Sequence, residues 1–398
     1  MTVVGFALSP EQARLRERAR RLAEDELRPH AARWDAEEAF PEPSLEALRR
    51  SGLLALTVPT RYGGEGLGTF EACLVLEELA RGCMASAMVA QMFLNGPPRA
   101  IALLGTDEQR ARLLPGVADG SRYFAIAMTE PQAGSAGTDL TTALRADGRD
   151  FRLTGTKCSI TGGARADAFL VFCRAEGTRG ASGIGAVLVQ RGASGFAAPE
   201  VEPKMGGRGV AEATLRFEDV PVAARDVVLV PDPDSKRGAD VLLRQFNPER
   251  CGNAAMCVGV ARAALEDALA HVCERHQFGR PIVEFQGIQW RLADMAVDLE
   301  ASRLLTWRAA LSDDGGFPAL HETAAAKLAA NEMAQRVTNE AIQLHGHAGY
   351  TRSRPVERYF RDVRGMALAG GTTEVLRNIL AAGLTGRRFS QRPPRPVA

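Results

Sequence analysis

Hydrophobic rhythm changes twice along this chain, from helical to strand-like near Tyr123 and back to helical near Pro248. A helix repeats its buried face every ~3.6 residues and a strand every ~2, so one sequence cannot serve both. In the first stretch, Ser9-Pro10-Glu11-Gln12 combines a capping serine, proline at the first helical position and glutamine three residues after the cap. Leu15, Ala19, Leu22 and Ala23 then share one face, and Pro29 reads as the end of that helix. Thr106-Asp107-Glu108-Gln109 repeats the capping pattern ahead of Leu113 and Leu114. From Tyr123 to about Val230, short apolar runs at 169–172, 186–189 and 214–217 are separated by Gly162-Gly163, Gly183, Gly192 and Gly206-Gly207. Such runs predict strands and turns. Asp232-Pro233-Asp234 reads as the exit loop.

Helical stripes return with Val258, Ala261, Leu265, Ala268, Leu269 and Val272. Ile288, Leu292, Met295 and Leu299 form a second stripe, and residues 327–344 a third. Stripes this long suit a helix bundle. The chain is therefore expected to be α+β, with helices over 1–122, a β block over 123–235, helices over 236–387 and a disordered Arg/Pro-rich tail over 388–398.

Net charge is +1, so no strong field recruits nucleic acid or an anionic membrane. No apolar run is long enough to cross a bilayer. Seven cysteines are scattered without a CxxC pair or zinc-like spacing. Free thiols in a reducing compartment follow, and the expected location is the cytoplasm.

Several segments combine into a larger pattern. Met128-Thr129-Glu130-Pro131-Gln132-Ala133-Gly134-Ser135 opens the β block, and Lys157-Cys158-Ser159-Ile160-Thr161-Gly162-Gly163-Ala164 follows. Glu274-Arg275-His276-Gln277-Phe278-Gly279-Arg280-Pro281-Ile282, Phe285-Gln286 and Leu292-Ala293-Asp294-Met295 come later. Pro355-Val356-Glu357-Arg358-Tyr359-Phe360-Arg361-Asp362 and Gly371-Thr372-Thr373-Glu374 close the series. In this order, to about residue 385, the chain resembles the acyl-CoA dehydrogenase family. The resemblance implies N-terminal helices, a central β-barrel-like domain and a C-terminal four-helix bundle. It also implies FAD, an acyl-CoA substrate, electron-transferring flavoprotein as acceptor, and a homotetramer whose subunits complete each other's flavin sites.

By that resemblance, Met128 and Thr129 face the pyrimidine part of the flavin, Ser159 the ring edge and Thr161 the N5 region. Ser135 touches both flavin phosphate and the thioester carrier. Read without the resemblance, these Thr and Ser residues simply close turns. Arg275 is a planar fork of donors suited to pyrophosphate. Gln277, Phe278 and Gln286 flank it and reach the FAD of the neighbouring subunit. Gln343, Gly346, Thr372 and Glu374 match the remaining cofactor contacts. A lone arginine near a helix C-terminus is otherwise a solvated cap.

The reaction so implied needs a base at the substrate α carbon, a hydride acceptor at the β carbon and donors for the developing enolate. The resemblance supplies the donors as the N–H of Gly370 and a ribityl hydroxyl of FAD. Most relatives carry the base glutamate where this chain has Gly370; a smaller group, resembling long-chain and isovaleryl-CoA dehydrogenases, carries it in a Glu-Arg pair. Pro248-Glu249-Arg250 occupies that point, so Glu249 is the expected base. Arg250, Gly370 and Gly371, with Ser135, are the expected substrate contacts. Burial would raise the Glu249 pKa toward the working range. The competing reading is an acid placed in the first turn of a helix by the dipole alone.

Ser159 stands where a tryptophan is usual, Ala136 where an aspartate is, and His347 where a second glycine is. His345 and His347 lack a third metal ligand, so no metal is expected. Two alternatives remain open: a same-fold flavin monooxygenase or oxidase, motivated by Gly370, and a dehydrogenase acting on an acyl-carrier-protein thioester, motivated by Ala136.

Overall fold

The structure is a computed structural model that describes residues 7–312, 314, 316–387 and 389–391. Most of the tail expected to be disordered therefore lies outside the described residues. α1 (Pro10–Leu22) begins where the capping box places it: Gln12 N–H donates to Ser9 Oγ at 3.2 Å and Ser9 N–H to Gln12 Oε1 at 2.9 Å. Pro29 does not end the helical path. A π turn and a 3-10 turn (Arg28–His30) carry the chain into α2 (Ala31–Glu37). The proline sits in the first turn of that 3-10 segment, where its missing N–H costs little.

α3 (Glu42–Arg50), α4 (Thr69–Gly82), α5 (Met84–Leu94), α6 (Pro97–Leu104) and α7 (Asp107–Ala118) complete the first helical stretch. The second capping box is present too, with Gln109 N–H donating to Thr106 Oγ1 at 3.2 Å. Every residue of α5 is buried, so this helix is apolar all round rather than striped.

Eight strands follow: β1 (Phe124–Ala127), β2 (Ala143–Asp147), β3 (Asp150–Thr161), β4 (Ala168–Ala175), β5 (Ile184–Gln190), β6 (Phe196–Glu202), β7 (Glu212–Val222) and β8 (Val227–Leu229). They form one sheet in the order β6-β7-β3-β2-β4-β5-β8, with β1 beside β4. The ladders are antiparallel except where β1 and β2 meet β4. β4 and β5 are buried along almost their whole length, which explains their unbroken apolar runs. β3 and β7 slip register between Lys157 and Ile160, and Ser159 takes φ +54° in that irregularity. A bulge of this kind re-aims side chains at a strand edge.

α8 (Arg237–Glu274) is 38 residues long and begins well before Pro248. This corrects the expectation that a helix starts there. Pro248 is the twelfth residue of α8, and Glu249 lies in its middle, away from the terminal dipole. Residues 237–247 are helical because buried Val241, Leu242 and Gln245 anchor one face, a stripe too short to stand out in the sequence. A hairpin of β9 (His276–Gln277) and β10 (Arg280–Pro281) leads to α9 (Gln286–Leu311). α10 (Leu320–His345), α11 (His347–Tyr350), α12 (Val356–Met366) and α13 (Thr373–Thr385) finish the chain. α8 is the central element, packed between α4, α9 and α10.

Candidate active site

Glu249 meets neither solvent nor a counter-charged partner fully. Burial pushes its pKa up to about 8, against the weaker opposing effects of Gln245 and Arg250. Gln245, one turn earlier, donates its Nε2 to Glu249 Oε1 at 3.2 Å. Part of the residue's surface stays accessible. A carboxylate enclosed by protein yet open on one side suits a base that must meet a ligand. Its segment is fixed from α5: Gln91 Nε2 donates to the Glu249 backbone oxygen at 3.0 Å. Gly252 makes room for this, because a Cβ there would collide with Gln91 Oε1.

Arg250 turns the other way, is 4% exposed, and donates Nε to Gly370 O at 3.1 Å and Nη1 to Asn247 Oδ1 at 2.8 Å. Lys327, wholly buried on α10, donates Nζ to Gly371 O at 2.9 Å, to Met366 O at 3.0 Å and to Asn331 Oδ1 at 2.9 Å. The Gly370-Gly371 turn is thus held through its two carbonyl oxygens by two buried cations. Gly370 and Gly371 have φ of +67° and +98°, a backbone that selects glycine. Among the described residues no hydrogen bond takes up the Gly370 N–H. With its carbonyl pinned, that N–H is free to serve as a preorganised donor.

In the sheet, two loops are tied by a second device. Lys157 Nζ donates to Glu130 Oε1 at 2.7 Å and to Met128 O at 2.9 Å, with both side chains almost fully buried. Burial opposes ionisation of Glu130, yet Lys157 and the Thr141 and Thr142 amides hold its pKa down at about 2. Cys158 N–H donates to Thr129 O at 2.9 Å. Met128, Thr129, Ser159 and Thr161 are therefore carried on adjoining segments. Ser159 N–H and Oγ are both committed to Glu202, at 2.9 and 3.1 Å, and Thr161 Oγ1 donates to Glu212 at 3.3 Å. Ser135 is exposed, and Gly134 beside it borders open space.

Arg275, Gln277, Phe278, Gln286, Gln343 and Gly346 sit at the far end of the bundle, whereas Thr372 and Glu374 follow the Gly370-Gly371 turn. Arg275 caps α8 through its N–H to His271 O at 2.8 Å, and its guanidinium has no partner among the described residues. His271 stacks on His345 at 4.3 Å between centroids, which joins this end of α8 to Gln343 and Gly346 at the end of α10. His345 is buried and bonds Ala341 O through Nδ1 at 2.7 Å, while His347 is exposed. Gln277, Gln286 and Gln343 are exposed, and Phe278, at φ +50°, is 93% exposed. Thr372 caps α13 by accepting from Val375 N–H at 3.3 Å, and Glu374 lies exposed in its first turn. The unpaired Arg275 and the open Gly134-Ser135 loop fit the phosphates of a dinucleotide flavin, whereas the Ser159 and Thr161 hydroxyl protons are already taken by Glu202 and Glu212.

The sequence reading missed Lys327, Gln245, Gln91 and the Glu130–Lys157 pair. A lysine inside the Ala-rich 324–330 stripe, and a glutamine four residues before Glu249, were the available signals.

Comparison with known proteins agrees with this architecture. Sequence patterns for the acyl-CoA dehydrogenase N-terminal, middle and C-terminal domains match residues 9–121, 125–220 and 236–385. The chain is 41% identical over 388 residues to a 3-sulfinopropanoyl-CoA desulfinase of Paraburkholderia xenovorans (strain LB400), covering 97% of this chain and 99% of that one. It is 38% identical over 383 residues to an acryloyl-CoA reductase (NADH) of Anaerotignum propionicum, covering 96% of each. The solved butyryl-CoA dehydrogenase of Megasphaera elsdenii superposes with TM-score 0.92 at 31% identity, covering 96% of this chain and all of that one. With three domain patterns in order and relatives matched end to end, the chain belongs to the acyl-CoA dehydrogenase family of FAD flavoproteins.

Proposed function

We propose that this protein removes hydrogen from the α and β carbons of an acyl-CoA thioester, with Glu249 taking the α proton. The observation that carries this reading is the Glu249 carboxylate itself: enclosed, raised to about 8, and on the residue preceding the arginine that pins Gly370. The Gly370 N–H would polarise the thioester carbonyl, and Arg250 and Lys327 would keep that donor aimed. Gln245 orients the carboxylate. Bound FAD supplies the acceptor for the β hydride. Ser135 is the proposed carrier-side contact, while Arg250, buried against Gly370 and Asn247, takes a structural part instead. Arg275, Gln277, Phe278, Gln286, Gln343, Gly346, Thr372 and Glu374 are the proposed holders of the dinucleotide. Exposed Phe278, Trp290 and Val297 support a homotetramer with sites shared between subunits, and electron-transferring flavoprotein is the proposed acceptor. Among the described residues no helix is long and apolar enough to cross a membrane, which accords with the proposed cytoplasmic location.

The decisive variant is Glu249→Gln. It is expected to retain FAD but to lose at least ~100-fold in anaerobic flavin bleaching by acyl-CoA, the scale of general-base loss. Near-normal bleaching refutes the assignment. Because the carboxylate must be ionised, kcat/KM of the unmodified enzyme should rise with pH through about 8. A second reading, desulfination, is favoured by Gly370, which places no carboxylate at the commoner base position, and by the desulfinase relative. Conversion of 3-sulfinopropanoyl-CoA and water into propanoyl-CoA and sulfite, without net flavin reduction, would select it.

A further inference from the structure

Residues 355–362 carry one of the sequence motifs, yet none of them enters the proposed chemistry. Most of them open α12, which reaches out of the bundle toward both earlier parts of the chain. Arg361 forks onto Asp35 of α2, with Nη1 to Oδ1 at 2.9 Å and Nη2 to Oδ2 at 2.6 Å. The same Nη1 donates to Met205 O at 3.0 Å. Asp362, 5% exposed, accepts the Gly207 N–H at 2.7 Å, and no other hydrogen bond reaches its carboxylate among the described residues. Met205 and Gly207 lie in the loop that joins β6 to β7. Gly206 lets the helix approach that closely, because a Cβ there would collide with the Arg361 backbone oxygen. Burial pushes the Asp362 carboxyl up to about 6, against the opposing effects of the Gly207 N–H and Arg358. Perturbed carboxylates of this kind gather at functional sites.

The loop leaves β6 at Glu202 and enters β7 at Glu212, and these two residues are partners in the ladder. Lys204 closes it, donating Nζ to Val210 O at 2.7 Å and to Glu212 Oε1 at 3.4 Å. Each carboxylate at the loop mouth takes the proton of one expected flavin-edge hydroxyl, Glu202 that of Ser159 and Glu212 that of Thr161. A hydroxyl whose proton is committed offers a ligand only acceptor lone pairs, in a direction set by the committed bond. The C-terminal end of α12 is fixed as well. Met366 O accepts from Lys327 at 3.0 Å and from Asn253 at 3.2 Å, four residues before Gly370. One helix thus joins the turn that carries the proposed enolate donor to the loop behind the expected flavin edge.

We propose that Asp362 is a positioning residue for the flavin: through the Gly207 N–H it holds the β6–β7 loop, and through that loop Glu202 and Glu212 hold Ser159 and Thr161. The inference rests on the reading of Ser159 and Thr161 as bordering the flavin ring.

The test uses the full chain, titrated with FAD after removal of the cofactor, with visible circular dichroism and reduction potential of the bound flavin as further readouts. Asp362→Ala should weaken FAD binding ~10-fold, the scale of one lost buried hydrogen bond, and shift both flavin signals. Asp362→Asn keeps an acceptor oxygen for Gly207 and should restore most of the loss. Thr161→Val removes a group that the loop positions and should shift the flavin signals by itself. Adding Asp362→Ala to it should then change FAD affinity by clearly less than 10-fold. Flavin signals unchanged in Asp362→Ala, even with a lower Tm, make Asp362 a packing residue and overturn the proposal. Equal effects of the alanine and asparagine variants, or full additivity with Thr161→Val, overturn it too. A shift in Thr161→Val alone defeats the proposal and leaves the flavin-edge reading standing. No shift in either variant defeats both. If Asp362→Ala does not fold, Asp35→Asn loosens the Arg361 fork instead and should weaken FAD binding ~3-fold. Unchanged binding and flavin signals there overturn the proposal.

Discussion

Lys157 in the sheet and Lys327 in the bundle are both wholly buried, and both fix backbone that borders the proposed site. They differ in what neutralises them. Lys157 faces Glu130, so a complete ion pair sits inside the sheet, with the carboxyl held at about 2. Lys327 faces carbonyl oxygens and an amide, and burial with Arg250 close by pulls its pKa down to about 7. Burial lowers the pKa of both lysines, but at Lys157 the Glu130 carboxylate opposes that shift, whereas Lys327 has no carboxylate beside it among the described residues. The counter-ion makes the difference.

The sharpest way to break this contrast is Glu130→Gln. Stranding Lys157 without its carboxylate should cost about 3–5 kcal/mol, read as a fall in Tm and in denaturant midpoint. Adding Lys157→Met should recover much of that loss, because the pair is then gone as a unit. An additive double variant would show that the two residues do not act together. The effect of Lys327→Met should be smaller, about 1–3 kcal/mol, since the lost carbonyl hydrogen bonds are partly offset by removing a desolvated ammonium. Its larger signature should be in kcat, with KM nearly unchanged, because the Gly370 N–H loses its aim. An unchanged kcat would reduce Lys327 to a packing residue.

Titration sharpens the comparison further. Glu130 has a folded pKa below its unfolded value, so its stabilisation is present above about 4.5 and lost as pH falls toward 2. Lys327 is also depressed, from 10.5 to about 7, so the unfolded chain binds more protons between those values and stability rises with pH across that window. Glu249 has the opposite sign. Its pKa is raised from 4.5 to about 8, so its contribution is full below 4.5 and lost as pH rises to 8. Glu249→Gln should therefore be more stable than the parent above pH 8, by roughly 1–3 kcal/mol given its partial exposure. Adding Lys327→Met should then flatten the slope from pH 7 to 10.5. A slope that survives both changes must come from other groups.

Much of this was legible in the residues. Both capping boxes form as read, and the runs at 169–172, 186–189 and 214–217 all lie in strands. Glu249, Arg250, Gly370 and Gly371 were named together from motif order, and the structure joins Arg250 to Gly370 and Gly371, with Glu249 the residue before it on α8. The start of α8 was not legible, because Pro248 is a strong local breaker signal and only packing against neighbours shows that the helix tolerates it. Lys327 was hidden for a similar reason. A lysine in a helix reads as a solvated face until the carbonyls it meets are known.

Sequence alone determined the order of elements and the presence of one carboxylate beside an arginine at 249–250, while the positive φ that requires glycine at 370 and 371 is seen only in the fold. The first two follow from local rules of period and residue chemistry, each acting within a few positions. Tertiary structure decided which charges are paired. Glu130 and Lys157 are 27 residues apart, and Lys327 meets carbonyls 39 and 44 residues away. Electrostatic free energy depends on distance through space and on the water displaced from around each group, neither of which the order of residues along the chain contains.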